Sequence, residues 1–199
     1  VDWKADVFVN DILIGSHKGG FTPFSFNITP YLTGRNNQKL VVRVWDPSDK
    51  GYQPRGKQTS RPEGIWYTPV TGIWQTVWLE PVAAAHVTSV KSISNIDNNT
   101  LNVTVGTSCD CNSGIVTVKL LDKGQVVASA KGKELRLFVQ NPTLWSPSNP
   151  YLYDMTVSLS KDGKVLDEVK SYTAFRKISS KRDAAGIMRM QLNNQDLFQ

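Results

Sequence analysis

A chain of 199 residues with 40% apolar content can hold one large domain or two of ordinary size around packed cores. Its formal charge is +6, but the 23 Lys and Arg are scattered with no run of five, which argues against nucleic acid as a partner. No apolar run reaches the roughly 18 residues of a membrane-crossing helix, so no membrane partner is expected.

Residues 1 to 82 read as short strands and turns. Trp3, Ala5, Val7 and Val9 alternate with Lys4, Asp6 and Phe8, Asn10-Asp11 makes a tight turn, and Ile12 to Gly15 returns as a hairpin. Phe24, Phe26 and Ile28 form another alternating run, entered through Gly19-Gly20 and closed by Pro30. Gly34 to Asn37 turns into a strand from Leu40 to Trp45. A long loop follows, from Asp46 to Thr71, and loops of that length inside a compact domain are uncommon and usually functional or disordered. The close spacing of Pro62, Gly64, Pro69 and Gly72 rules out helix or central strand there. Lys50, Arg55, Lys57 and Arg61 form a local basic cluster in the loop, largely offset by Asp46, Asp49 and Glu63. A further strand is expected over Ile73 to Leu79, with Trp74 and Trp78 on one face, ended by Pro81.

Residues 83 to 180 keep the style with a different rhythm. Ala83-Ala84-Ala85 reads as a short linker. Strands are predicted at 87–93, 101–105, 115–121, 126–130, 135–139, 153–159 and 165–172, with turns at Asp97-Asn98-Asn99, Asp122-Lys123-Gly124 and Lys161-Asp162-Gly163. That strand count over such a length fits an immunoglobulin-like sandwich, without the Cys-Trp-Cys arrangement of antibody domains. Trp145, in the loop from Asn141 to Pro150, is expected to plug the end of that core. Residues 181 to 199 read as a hairpin tail, with Ile187, Arg189 and Gln191 alternating against Met188, Met190 and Leu192 before a turn at Asn193-Asn194.

Four stretches together carry a family resemblance. They are Val9 to Phe24, the run Gly64-Ile65-Trp66-Tyr67-Thr68-Pro69-Val70-Thr71-Gly72-Ile73-Trp74-Gln75-Thr76-Val77-Trp78-Leu79-Glu80, the run Leu144-Trp145-Ser146-Pro147-Ser148-Asn149-Pro150-Tyr151-Leu152-Tyr153, and Phe175-Arg176-Lys177-Ile178. Their sequence, order and spacing resemble the N-terminal region of glycoside hydrolase family 2, which includes β-galactosidases, β-glucuronidases and β-mannosidases. The resemblance implies an all-β chain: a partial jelly-roll (galactose-binding-like) sandwich over 1–82, an immunoglobulin-like β-sandwich over 83–180, and over 181–199 a hairpin leading into a (β/α)8 catalytic barrel. Ala174 stands where the family often has Gly before Phe-Arg. Val1-Asp2-Trp3-Lys4 reads as the interior of a longer protein, not its start.

The chemistry of a retaining glycosidase needs two carboxyl groups about 5–5.5 Å apart. The glutamates are Glu63, Glu80, Glu134 and Glu168, and nothing in their spacing pairs them. No catalytic residue is therefore expected in this chain, and the resemblance places both catalytic glutamates in the barrel. It also implies that the first domain lends residues to the sugar pocket. Asp46, directly after Trp45, is the nearest match to a sugar-contacting aspartate, against the plainer role of capping the turn at Pro47-Ser48. Arg55 is a second substrate-binding candidate in the same loop.

No metal or cofactor is expected. No Ser-His-Asp order is present, and Gly19-Gly20 is not a phosphate loop, because no helix follows it. Cys109 and Cys111, parallel on a strand and ~6.6 Å apart, should form neither a disulfide with each other nor a zinc site. The expected partners are a carbohydrate substrate through the full-length enzyme and a second copy of the chain, because exposed sheet edges in an incomplete jelly roll invite pairing. The loop from Lys50 to Pro62 is expected to be mobile. Periplasmic or secreted is favoured over cytoplasmic. The alternative reading is a stand-alone carbohydrate-binding or structural module, with Trp66, Tyr67 or Trp74 as stacking platforms.

Overall fold

A computed structural model describes residues 1–108 and 114–198. The cysteine readings fall on residues outside that set. The described residues contain no α-helix, only strands and one 3₁₀ turn at Thr29–Tyr31, so no helix is long and apolar enough to cross a membrane. The chain divides into two units, Val1–Leu79 and Glu80–Gln199.

The first unit is built on a three-stranded antiparallel sheet in the order β2-β1-β3: β1 Lys4–Val9, β2 Ile12–Lys18 and β3 Leu40–Trp45. The central strand is covered on one face, where Ala5, Val7 and Val9 are buried. The hairpin turn is the one expected, and Asn10 and Asp11 take φ values of 48° and 66°, the left-handed pair that a two-residue hairpin requires. Asn10 also ties the turn to β3, donating from Nδ2 to the Tyr31 carbonyl at 2.9 Å and accepting from the Lys39 backbone N–H at 3.0 Å.

Two expected strands in this unit are not strands. Residues 23–28 keep their alternation, with Phe24, Phe26 and Ile28 half-buried and Ser25 and Asn27 exposed, but they form no ladder. The segment lays its rings over β2 instead: His17 stacks on Phe24 at 4.3 Å between centroids, and Phe24 meets Phe26 at 5.7 Å. Gly15 makes room for this, since a Cβ there would sit 2.2 Å from the Phe26 ring. Residues 73–79 likewise run outside any strand, and Ile73, Trp74, Val77, Trp78 and Leu79 are all exposed. Alternation assigns faces, but a strand also needs a partner for its N–H and C=O groups. Among the described residues the nearest such pairing is an isolated bridge between Asp2 and Gly72, just before the segment.

The second unit is a two-sheet sandwich. One sheet has the order β4-β5-β8 and the other β10-β9-β6-β7. The strands are β4 Val87–Asn95, β5 Thr100–Thr107, β6 Ile115–Asp122, β7 Gln125–Lys131, β8 Glu134–Phe138, β9 Tyr153–Lys161 and β10 Lys164–Thr173. All seven predicted strands are present. The fourth strand pairs with the third, giving three strands in one sheet and four in the other. The inward residues come from the period-2 pattern: Leu101, Val103 and Val105 from β5, Val116, Val118 and Leu120 from β6, and Tyr153, Met155, Val157 and Leu159 from β9. Leu144 and Ala85 pack on this core. The end plug is thus Leu144 rather than Trp145, which is half-buried with the Arg176 guanidinium 5.0 Å from its ring centroid.

A third sheet closes the unit, with β11 Ile178–Arg182, β12 Met188–Leu192 and β13 Gln195–Asp196 in the order β11-β12-β13. It begins at Ile178, inside the stretch the sequence assigned to the sandwich. Asn193 latches it in place: its Oδ1 accepts from the Lys177 N–H at 3.0 Å and its Nδ2 donates to the Trp145 carbonyl at 3.0 Å. Asp97 adds a second tie, accepting from Lys177 Nζ at 2.6 Å and Asn194 Nδ2 at 3.0 Å.

Candidate functional site

The loop that follows β3 organises itself around two aspartates. Asp46 leaves the strand half-buried, and its Oδ1 accepts from the Ser48 backbone N–H at 2.9 Å, closing an Asx turn. Its Oδ2 accepts from Thr71 Oγ1 at 3.0 Å, which joins the two ends of the loop. An ionised carboxylate offers about four lone-pair sites. Asp46 uses one on each oxygen and keeps capacity for a ligand hydroxyl.

Asp49, for which the sequence carries no functional signal, is the hub of the loop. Its Oδ2 accepts from Thr59 Oγ1 at 2.8 Å, from the Ser60 N–H at 2.9 Å and from Ser60 Oγ at 3.0 Å. Its Oδ1 is buried without a partner. Arg55 reaches the same turn, donating from Nη1 to the Asp49 carbonyl at 3.1 Å with its guanidinium 5.9 Å from the Trp66 ring centroid. The other side of the loop folds back, with Tyr67 N–H on the Lys57 carbonyl at 2.8 Å and Thr59 N–H on the Tyr67 carbonyl at 3.0 Å. The stretch expected to be mobile therefore has a hydrogen-bond net of its own.

Asp2 also reaches this region, although 44 positions separate it from Asp46 in the sequence. It exchanges backbone hydrogen bonds with Gly72 at 2.9 and 3.0 Å. Burial, and then the negative charge of Asp46, raise its carboxyl above the ordinary value. Its side chain lies against Gly20, whose carbonyl accepts from Trp74 Nε1 at 2.9 Å. The structure so brings Asp2, Asp46, Thr71 and Trp74 to one end of the sheet. Arg55 and Trp66 belong to the Asp49 turn farther along the loop.

The hydrogen bonds to Asp49, first that of the Ser60 N–H and then those of the two hydroxyls, hold its carboxyl down at about 2. A depressed folded value means stabilisation that is complete above the ordinary carboxylate range near 4 and lost as pH falls through about 2. The Ser60 amide resonance should thus move between pH 4 and pH 2 as the loop opens. In Asp49→Asn it should sit at the open position already at neutral pH. A Ser60 titration centred at the ordinary value would remove Asp49 from this role.

The four glutamates are all exposed, and among the described residues none of their side chains takes part in a hydrogen bond or an ion pair. No group of three or more His, Cys, Asp or Glu among the described residues is placed to hold a metal.

The model of glycosyl hydrolases family 2 matches residues 73–176, just over half of the chain. This chain belongs to that family. It is 27% identical to a β-galactosidase of Thermoanaerobacter pseudethanolicus over 193 residues, covering 90% of this chain and 25% of that protein. It is 28% identical to a β-glucuronidase of Paenibacillus borealis, covering 87% of this chain and 32% of the relative. The family 2 chain thus spans about a quarter to a third of the length of these relatives. Its fold matches that of a Ruminococcus gnavus β-glucuronidase solved with uronic isofagomine, with a TM-score of 0.81 at 23% identity over 98% of this chain and 34% of the other.

Proposed function

We propose that this chain is the non-catalytic N-terminal part of a retaining family 2 glycosidase of β-galactosidase-like type. The O-glycosidic bond is cut by two glutamates of a (β/α)8 barrel outside these 199 residues. In this reading residues 1–82 are the later part of the jelly roll, 83–180 the immunoglobulin-like spacer and 181–199 the approach to the barrel. The observation that carries it is Asp46: a half-buried carboxylate with a free lone pair on each oxygen, fixed at a sheet end between Ser48 and Thr71. Such a group can accept from a sugar hydroxyl without reorganising, which favours the transition state if the hydroxyl gains acidity there. Arg55, held on the Asp49 carbonyl farther along the loop, is a separate and lesser candidate for contact with the sugar.

The test is Asp46→Ala in the full-length enzyme. Loss of one charge-assisted hydrogen bond of about 1.5–3 kcal/mol should lower kcat/KM by roughly 10- to 150-fold on the preferred glycoside. Unchanged kinetics on every accepted glycoside would remove Asp46 from the pocket. The exposure of Trp66, Tyr67 and Trp74 favours a second reading, a free-standing carbohydrate-binding module. The length of the open reading frame separates the two, since a module needs no barrel.

A further inference from the structure

The outward face of the β2-β1-β3 sheet carries charge that the fold does not neutralise. Cross-strand register places Lys18, Lys4 and Trp45 in one row and Ser16, Asp6 and Arg43 in the next, on the face opposite Ala5, Val7 and Val9. A shallow hollow of about 570 Å³ lies there, lined by Lys4, Asp6, Lys18, Arg43, Val44 and Trp45.

Asp6 is the floor of the hollow, with its side chain 7% exposed. Its Oδ1 accepts from Ser16 Oγ at 2.6 Å and lies 3.2 Å from Lys4 Nζ. Its Oδ2 accepts from Arg43 Nη2 at 2.6 Å and Nε at 3.2 Å. These contacts hold its carboxyl well below the usual range, the Ser16 hydroxyl first and Arg43 next. The buried carboxylate therefore fixes two cations above itself. The Phe8 ring, 5.4 Å from the guanidinium carbon, fixes the plane of Arg43 as well. Even so, the Arg43 side chain is 65% exposed, and Nη1 is not used on Asp6.

Lys18 is exposed and makes no ion pair among the described residues. It sits directly across from Lys4. Like charges so placed destabilise a sheet, and the one carboxylate beneath them is already shared by Lys4 and Arg43. Three cations over one anion leave two positive charges on the hollow. At the end of the Lys row stands Trp45, 57% exposed. An indole face is apolar and carries the negative side of its quadrupole outward, which suits the CH face of a pyranose ring.

We propose that this face binds an anionic oligosaccharide: Lys4, Lys18 and Arg43 take its carboxylate or sulfate groups and Trp45 stacks on one of its rings. The free Nη1 of Arg43 is the donor for a ligand oxygen. The choice of a sugar ligand rests on the family reading, whereas the preference for negative charge rests on the face alone.

Calorimetric titration of the 199-residue chain tests it, with tetragalacturonic acid, a chondroitin sulfate tetrasaccharide and neutral maltotetraose as probes. At least one anionic probe should bind about tenfold or more tighter than maltotetraose, and raising salt from about 0.05 to 0.5 M should weaken it severalfold. Lys18→Glu reverses an exposed, unpaired charge and should cost about tenfold in affinity without lowering the unfolding temperature, because it replaces the like-charge pairing with Lys4 by an opposite-charge one. Trp45→Ala should lower affinity for the sugars but not for inorganic polyphosphate, a polyanion with no ring to stack on the indole. Asp46→Ala is read by glycoside kinetics and Lys18→Glu by probe affinity, so that failure here and failure of the glycosidase reading remain separable. The proposal is overturned by equal affinity for neutral and anionic probes, by no binding of any, or by unchanged affinity in Lys18→Glu.

Discussion

Phe175→Ala should destabilise the second unit by about 3–5 kcal/mol, the range for removing a large buried aromatic side chain. Phe175 is 0% exposed and is among the largest fully buried side chains. Its ring meets Tyr153 edge-on at 5.4 Å between centroids, and Tyr153 meets Tyr151 the same way at 5.3 Å. Its backbone carbonyl also accepts from the Trp145 N–H at 2.9 Å, which ties the loop before β9 to the chain after β10. Alanine would leave a cavity at this junction, where a β-bridge between Leu144 and Phe175 and the Asn193 latch fix the surrounding backbone and limit collapse. A domain of this size has only about 5–15 kcal/mol in total, so the variant should lie near the unfolding threshold at 37 °C. Urea unfolding followed by fluorescence measures this, and a loss under about 1 kcal/mol would show that Phe175 is not the keystone the packing implies.

The second unit was nearly legible from its sequence. Val116, Val118 and Leu120, or Met155, Val157 and Leu159, lie between turns that start and stop each strand, so alternation gave both the element and its buried face. The first unit was legible in its hairpin and in β3 but not in residues 23–28 and 73–79. Phe24 and Phe26 did alternate in burial, but against rings across β2, not within a ladder. For Ile73 to Leu79 the pattern found no sheet to join among the described residues, and both of its faces are exposed.

The candidate site shows the same limit. Asp46 could be named because the family resemblance implies a sugar-contacting aspartate directly after the strand that ends in Trp45. Asp49 and Asp2 could not, because their roles depend on Ser60 and Gly72, whose proximity is set only by the folded loop. Nor could periodicity reveal that Asp6 sits beneath Lys4 and Arg43, although it placed all three on one face once the β1–β3 register was known.

The other large effect concerns turnover, which this polypeptide alone should lack altogether. A retaining mechanism needs a protonated acid beside the leaving oxygen and a carboxylate close enough to attack the anomeric carbon. Glu63, Glu80, Glu134 and Glu168 are exposed and unsupported by any neighbour among the described residues. Among the aspartates, hydrogen bonds hold Asp49, Asp97 and Asp183 below the ordinary carboxylate value, which makes them poor acids at neutral pH. Asp2 is raised, but its neighbour Asp46 is tied to Ser48 and Thr71 and cannot swing to act as a nucleophile without opening the loop. The decisive measurement is incubation of the purified 199-residue chain with aryl β-galactoside, β-glucuronide and β-mannoside. The expected result is no aryl release above the buffer rate at any pH from 4 to 8. Turnover that copurifies with the chain and disappears in Glu63→Gln would contradict the account at its centre.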